Sequence, residues 1–233
     1  VFGNLEPHDT TKQAITNALT VPRSQGYTHS CGVPAAREAV ARLMCRDNVN
    51  YVADDIILTS GASHALLLAF QFLLNPGDYV LLPKPSFSLY ETLTHHLGGN
   101  VIFYDLLPEE QWQVDLNSLE ALIAQHKASG HNIKALLINN PGNPTGCNYS
   151  AQHLQGIQKI VSREHIPVIS DEIYSYIVFP GQIFTSFASV SGDVPVFVIN
   201  GLAKQFLIPG WRLGWLALHD PEKFISPEQK QHL

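Results

Sequence analysis

The sequence is poor in several things at once, and each shortage removes a class of function. Lys and Arg number 14 against 20 Asp and Glu, a formal charge of -6 with His neutral. No run of basic residues occurs, so the chain lacks the clustered positive charge that nonspecific nucleic-acid or anionic-membrane binding requires. Its apolar runs are strand-sized and bounded by turn residues, too short to span a bilayer. The three cysteines, Cys31, Cys45 and Cys147, are odd in number and far apart, which fits neither a disulfide framework nor a Cys-x-x-Cys zinc site. A reducing compartment is the simpler reading, the cytoplasm first and the mitochondrion as the alternative. Neither Gly-x-Gly-x-x-Gly nor Gly-Lys-Ser/Thr is present, which argues against a dinucleotide or a nucleoside triphosphate. No basic segment followed by an apolar one stands near the N-terminus, so no secretory signal is read there, and Asn148-Tyr149-Ser150 is taken as a chance match to a glycosylation acceptor. An opening Val1 rather than Met reads as a fragment or a processed product.

With 45% hydrophobic residues over 233 positions, the chain can bury a sizeable core in one or two domains. From Pro34 onward, short apolar runs alternate with longer segments of helical period, the pattern of an α/β fold with a largely parallel sheet. The spacing predicts strands over Ile56–Thr59, Tyr79–Leu82, Val101–Tyr104, Ala135–Asn139, Val168–Ser170, Val196–Ile199 and Leu213–Leu218. It predicts helices over Pro34–Cys45, Ser63–Leu74, Ser88–Leu97, Leu116–His126 and Ala151–Glu164. The runs ALLIN, VIS and VFVIN read as strands buried on both faces, and polar groups just beyond such strands face the crevice where open α/β sheets bind ligands.

Several groups stand at those strand ends. Thr59-Ser60-Gly61-Ala62-Ser63-His64 places small residues where a helix begins, which suits an anion approached by backbone N–H groups; a plain helix cap at Ser63 explains it equally well. In NNPGNPTG two prolines and two glycines fix the loop around Asn143, whose amide suits a planar ligand, although Asn-Pro steps also simply make turns. Asp171 follows the apolar run of VISDEIY, where an unpartnered carboxylate is costly, and Tyr174 should share its side of a helical turn. Lys204 and Arg212 lie in GLAKQFLIPGWRLGW, an apolar and glycine-punctuated stretch; either their stems lie along apolar surface with the heads in water, or both are chemically committed.

A lysine, a carboxylate, an amide with a phenol, an aromatic face and an anion site are together what pyridoxal 5'-phosphate requires. The order NNPGNPTG, SDEIY, GLAK, PGWRLGW resembles the fold-type I aminotransferases. From Val1-Phe2-Gly3-Asn4-Leu5 through SQGYTHSCG, LTSGASHAL and PKPSFSLYETL the wording is similar to the tyrosine branch of that superfamily, over nearly the whole chain. The resemblance implies a three-layer α/β/α large domain over residues 34–233, with a mostly parallel seven-stranded sheet containing one antiparallel strand. It implies that residues 1–33 form an N-terminal segment contributing to a small domain and a dimer interface, and that a C-terminal small domain is missing.

By the same resemblance Lys204 bonds to the cofactor aldehyde and moves the proton at the substrate Cα, and Asp171 holds the pyridinium. Asn143 and Tyr174 bond the phenolic oxygen, and Phe87 stacks on the ring, against a plain alternative of core packing. Arg212 pairs with the phosphate, and Gly61, Ala62 and Ser63 complete its site. Tyr27 reaches the phosphate of a neighbouring subunit, which implies a homodimer. Gly201 stands where the aspartate branch has a hydroxyl residue, so one phosphate contact of that branch is absent. The implied reaction passes the amino group of an aromatic amino acid, tyrosine above all, to a 2-oxo acid such as 2-oxoglutarate. The arginine that pairs with the substrate α-carboxylate belongs to the missing small domain and has no candidate here. A β-lyase of the same fold, an alanine-type aminotransferase and a truncated product without turnover are the alternatives.

Overall fold

The structure, a computed structural model, describes residues 5–230 and 233. Val1, Phe2, Gly3 and Asn4, which open the family resemblance, lie outside the described residues. In chain order the main elements are α1 (Asp9–Leu19), α2 (Pro34–Met44), β1 (Ile56–Ser60), α3 (Ala62–Leu73), β2 (Tyr79–Lys84), α4 (Leu89–His96), β3 (Asn100–Leu107) and β4 (Gln113–Val114). There follow α5 (Leu116–Ala128), β5 (Ile133–Asn139), α6 (Ala151–Glu164), β6 (Val168–Asp171), β7 (Val196–Gly201), β8 (Leu213–His219) and α7 (Pro227–Lys230).

Local chemistry sets these bounds. Pro34 opens α2 at a position whose N–H would have no intrahelical partner. The Asp115 carboxylate accepts from Ser118 N at 2.9 Å to start α5, and Ser150 Oγ accepts from His153 N at 3.1 Å to start α6. β6 and β7 are buried at every position, as the apolar runs predict.

The sheet has eight strands in the order β1-β8-β7-β6-β5-β2-β3-β4. Seven are the predicted ones, and β8 alone among them runs antiparallel, pairing so with both β7 and β1. The eighth corrects the expectation: β4, two residues long, pairs antiparallel with the end of β3 at the sheet edge. A strand that short leaves no alternation to read. Helix α1 is likewise absent from the prediction, and none of its residues is buried.

Two apolar cores flank the sheet. Ala65, Ala69 and Phe70 of α3 and Tyr90 of α4 pack on one face with Val80, Leu137, Ile169 and Phe197. Met44 of α2, Ile123 of α5 and Ile157 of α6 pack on the other with Leu81, Ile138, Val168 and Val198. The result is the three-layer α/β/α arrangement, with β5 lying between β2 and β6. From that point the chain order runs outward in both directions, which opens a crevice at the strands' C-terminal ends.

One contact between layers tolerates no side chain. A Cβ at Gly214 of β8 would run into the backbone of Gly61 and Ala62 at the start of α3. Gly214→Ala is therefore expected to cost at least about 2 kcal/mol through forced separation of strand and helix, read as a lower urea midpoint. An unchanged midpoint would show that the two backbones are not in contact.

Candidate active site

The crevice holds a cavity of about 150 Å³ whose walls come from distant parts of the sequence. Ala62 and Ser63 open α3, Phe87 precedes α4, Asn143 follows β5, Asp171 ends β6, Tyr174 stands in the turn beyond it, and Lys204 and Arg212 lie between β7 and β8. Eight of the ten residues singled out from sequence thus face one space. Gly61 adjoins it, because a Cβ there would meet the Arg212 guanidinium. Tyr27 does not line it and is wholly exposed, at 109%.

The rim at α3 combines a helix N-terminus with a guanidinium. The N-cap of α3 is Gly61 at φ 79, with no side-chain capping bond, so Ser63 is not the cap that the plainer reading made it. The first N–H groups of the helix have no intrahelical acceptors and carry the positive end of its dipole. Across from them Arg212, itself at φ 53, is fixed by Nη1 donating to Pro209 O at 2.9 Å and Nη2 donating to Ser60 O at 3.3 Å. Cation and helix terminus converge because glycine at position 61 leaves room for the guanidinium.

Asp171 is 4% exposed and sits at the floor. Its Oδ2 accepts from Tyr90 Oη at 2.7 Å and its Oδ1 from Ile173 N at 3.1 Å. Burial pushes its pKa up, against the opposing pull of Tyr90, Ile173 and the Lys204 charge. Lys204 has its pKa pushed down, mainly by burial and further by the Arg212 cation, with Asp171 resisting. A lysine so placed offers a larger share of neutral, nucleophilic amine than a solvated one. Its Nζ lies 5.6 Å from the centroid of the Tyr174 ring. Burial raises the Tyr174 pKa, and the nearby Asp171 charge raises it further. Phe87, 39% exposed, packs edge-on against Tyr90 with centroids 5.6 Å apart, so it is a wall of the cavity rather than core.

One residue of the site, Tyr90, escaped sequence reasoning, and another, Asn139, was placed in the crevice loop without a role. Tyr90 looks like an ordinary core position of an amphipathic helix, and its bond to Asp171 spans 81 positions. Asn139 looks like the last residue of a strand. Its Oδ1 accepts from Asn143 N at 2.6 Å while its Nδ2 donates to the Asp171 carbonyl at 3.1 Å, so it joins the two loops that carry the candidate ligands. The NNPGNPTG loop is further closed by Gly146 N donating to Gly142 O and Gly142 N to Cys147 O, each at 2.8 Å. Asp171 and Tyr174 do share a side, but on a turn and not a helix, with Ser175 N donating to Glu172 O at 2.9 Å. A larger hollow of about 540 Å³ adjoins the cavity and shares Asn143 and Tyr174 with it. Its other walls carry no carboxylate or lysine, so the chemistry belongs to the smaller space. Among the described residues no group of His, Cys, Asp and Glu could hold a metal ion, and no helix is long and apolar enough to cross a membrane.

A three-layer fold with lysine, buried carboxylate and anion rim at one crevice is the arrangement of a family that the sequence independently matches. Residues 2–230 fit the model of the class I and II aminotransferases, and the chain belongs to that family. It is 41% identical over 233 residues to the tyrosine aminotransferase of Homo sapiens, covering 100% of this chain and 50% of that protein. It is 35% identical over 212 residues to an S-alkyl-thiohydroximate lyase of Arabidopsis thaliana, covering 91% of this chain and 45% of that one. Among solved structures, the tyrosine aminotransferase of Leishmania infantum superposes with a TM-score of 0.90 at 32% identity, covering 99% of this chain and 62% of that one. The chain spans about half the length of the curated relatives it matches.

Replacing Tyr90 by Phe removes a donor that favours the charged form of Asp171. The folded-state pKa of Asp171 should rise further, and the stability lost should be about 1–2 kcal/mol near neutral pH and smaller at about pH 4, where the carboxyl is protonated more readily. Paired denaturant melts at the two pH values check this; an equal loss at both would place the Tyr90 hydroxyl off the carboxylate.

Proposed function

We propose that residues 34–233 form the cofactor-holding large domain of a pyridoxal phosphate-dependent aminotransferase acting on tyrosine or a related aromatic amino acid. A 2-oxo acid such as 2-oxoglutarate would accept the amino group in a second half-reaction. The observation that carries this reading is the convergence of Lys204, Asp171 and Arg212 on one cavity.

The donor set fits the cofactor group by group. Arg212 and the α3 N-terminus match a phosphate in charge and in hydrogen-bond direction. A carboxylate whose burial makes its charge costly, as Asp171 is, gains from a cationic ring N–H. Asn143 and Tyr174 face the cavity as donors for a ring oxygen, and Phe87 offers a face for stacking. Bound there, pyridoxal phosphate supplies a protonated ring that accepts the electron pair released when a bond to the substrate Cα breaks. The residues do the rest. Lys204 would hold the cofactor through its amine, and the same amine would take the proton from the substrate Cα and give it back at the end of the transfer. Asp171 keeps the ring nitrogen protonated, and Arg212 fixes the molecule against rotation.

Tyr27, wholly exposed, is free to meet a phosphate on a second copy, which supports a homodimer with shared sites. Residues 1–33 would then belong with the small domain and the dimer interface. A second reading, a lyase on the same cofactor, is favoured by the likeness to the Arabidopsis thaliana lyase. Amino transfer that depends on an added 2-oxo acid, as against release of ammonia with a 2-oxo acid product, separates the two.

Borohydride reduction in the presence of pyridoxal phosphate, followed by peptide mapping, is expected to place the label on Lys204; a label on any other lysine ends the reading. Arg212→Ala is expected to weaken pyridoxal phosphate binding by about 10–100-fold and binding of unphosphorylated pyridoxal far less. Equal losses for both ligands would remove Arg212 from the phosphate.

A further inference from the structure

Glu172 is next to Asp171 in the chain, yet it takes no part in the cavity. It is 2% exposed, a burial that charged side chains tolerate only with partners. One oxygen, Oε1, accepts all three of its bonds: from Ser170 Oγ at 2.9 Å, from Ser186 Oγ at 2.8 Å and from Phe187 N at 3.1 Å. Ser170 lies on β6, whereas Ser186 and Phe187 belong to the strip by which the chain returns after the Tyr174 turn. The carboxylate thus joins the beginning of an excursion to its end. On the way out, the Glu172 backbone donates to Ile199 O and accepts from Ser175 N, each at 2.9 Å, and Asn200 Nδ2 donates to Ser175 Oγ at 3.0 Å. Arg46 grips the same excursion from outside. Its Nη2 donates to the Tyr176 hydroxyl at 2.6 Å, and its guanidinium carbon lies 5.4 Å from the Phe184 ring centroid.

We propose that Glu172 is a positioning residue: its carboxylate fastens the Ser186–Phe187 strip to the strand end bearing Asp171 and Tyr174, and loss of its charge loosens the turn that presents Tyr174 to Lys204. The charged and titratable groups that face Glu172 are Arg46, whose cation favours the carboxylate, and Tyr51, which feels the Glu172 charge. The Tyr51 hydroxyl is buried with no hydrogen-bond partner among the described residues. Burial outweighs the three donors and Arg46 and pushes Glu172 up to about 7, so the clamp exchanges its proton in the neutral range. The ionised form accepts the stronger bonds, and the clamp therefore tightens as pH rises and slackens as pH falls.

The consequence at Lys204 rests on the cofactor reading above, whereas the clamp is measurable without cofactor. Two readouts on one pH series, from about 5.5 to 8.5 to bracket the Glu172 titration, separate them: deuterium exchange of the amides of residues 173–177, corrected for intrinsic rates, and the Kd for pyridoxal phosphate. In the native protein, protection of those amides should fall and the Kd should rise several-fold as pH drops through about 7. Glu172→Gln should hold the exchange protection flat at the acid-side value and remove from the Kd profile the step that coincides with it, leaving the part due to the ligand phosphate and the Lys204 amine. Ser186→Ala removes one donor to the carboxylate and should move the midpoint up by about one pH unit. That shift also decides the matter if Glu172→Gln does not fold. A residue that only supports the fold would lower protection at every pH and leave the midpoint in place. A native exchange profile in Glu172→Gln, or an unmoved exchange midpoint in Ser186→Ala, overturns the proposal. If the native protein binds no pyridoxal phosphate, that failure falls on the proposed function, and the exchange profile still decides the clamp.

Discussion

A carboxylate at the end of a strand buried on both faces constrains everything around it. Asp171 is held where water cannot reach it well, so its charge must be met by protein groups or by something bound. Tyr90 from α4, the Ile173 amide and the field of Lys204 each meet part of it, and burial still dominates. The residual cost is a reason for the cavity to receive a cationic N–H. It also explains why the neighbouring loops are tied so thoroughly. Asn139 bonds the Asp171 carbonyl and the Asn143 amide together, so the floor of the cavity and its side wall cannot move independently.

The electrostatics around the rim have the opposite sense. Arg212 lies against helix-terminal N–H groups, an arrangement in which like partial charges face one another. No interaction among them is favourable until an anion lies between. A site with a buried negative group at its floor and a surplus of positive charge at its mouth selects ligands with the reverse polarity along their length. A ring nitrogen at one end and a phosphate at the other satisfies both.

How much of this could be read from sequence depends on the range of the interaction. The seven long strands were legible because each is an apolar run between turn residues, and the anchors were legible because a charge inside such surroundings demands a partner. The edge strand β4 is too short to carry a readable alternation, and helix α1, which buries none of its residues, was not read. Tyr90, and the bonds made by Asn139, were missed for another reason. A tyrosine on an apolar helix face and an asparagine ending a strand look ordinary until a partner arrives from a distant part of the chain. Gly214 gave a signal that went unused, since a glycine inside a strand often marks a close backbone approach. Glu172 could not be told from its neighbour Asp171, because which face each occupies is fixed only by the sheet.

The antiparallel direction of β8 has a consequence for how this region can vary. In a parallel sheet, successive strands reach the same rim only after a crossover of a dozen or more residues. Because β8 turns straight back beside β7, the chain leaves the rim with Lys204 and re-enters it with Arg212 inside the single connection of residues 202–212, with no helix packed across the sheet between them. The separation between Lys204 and Arg212 is then measured out by the chain itself, like a ruler. Insertions and deletions accumulate in surface connections elsewhere in such folds. On the function proposed above, the length of the connection between these two residues matches a dimension of the ligand, and a change of count would misplace one of them.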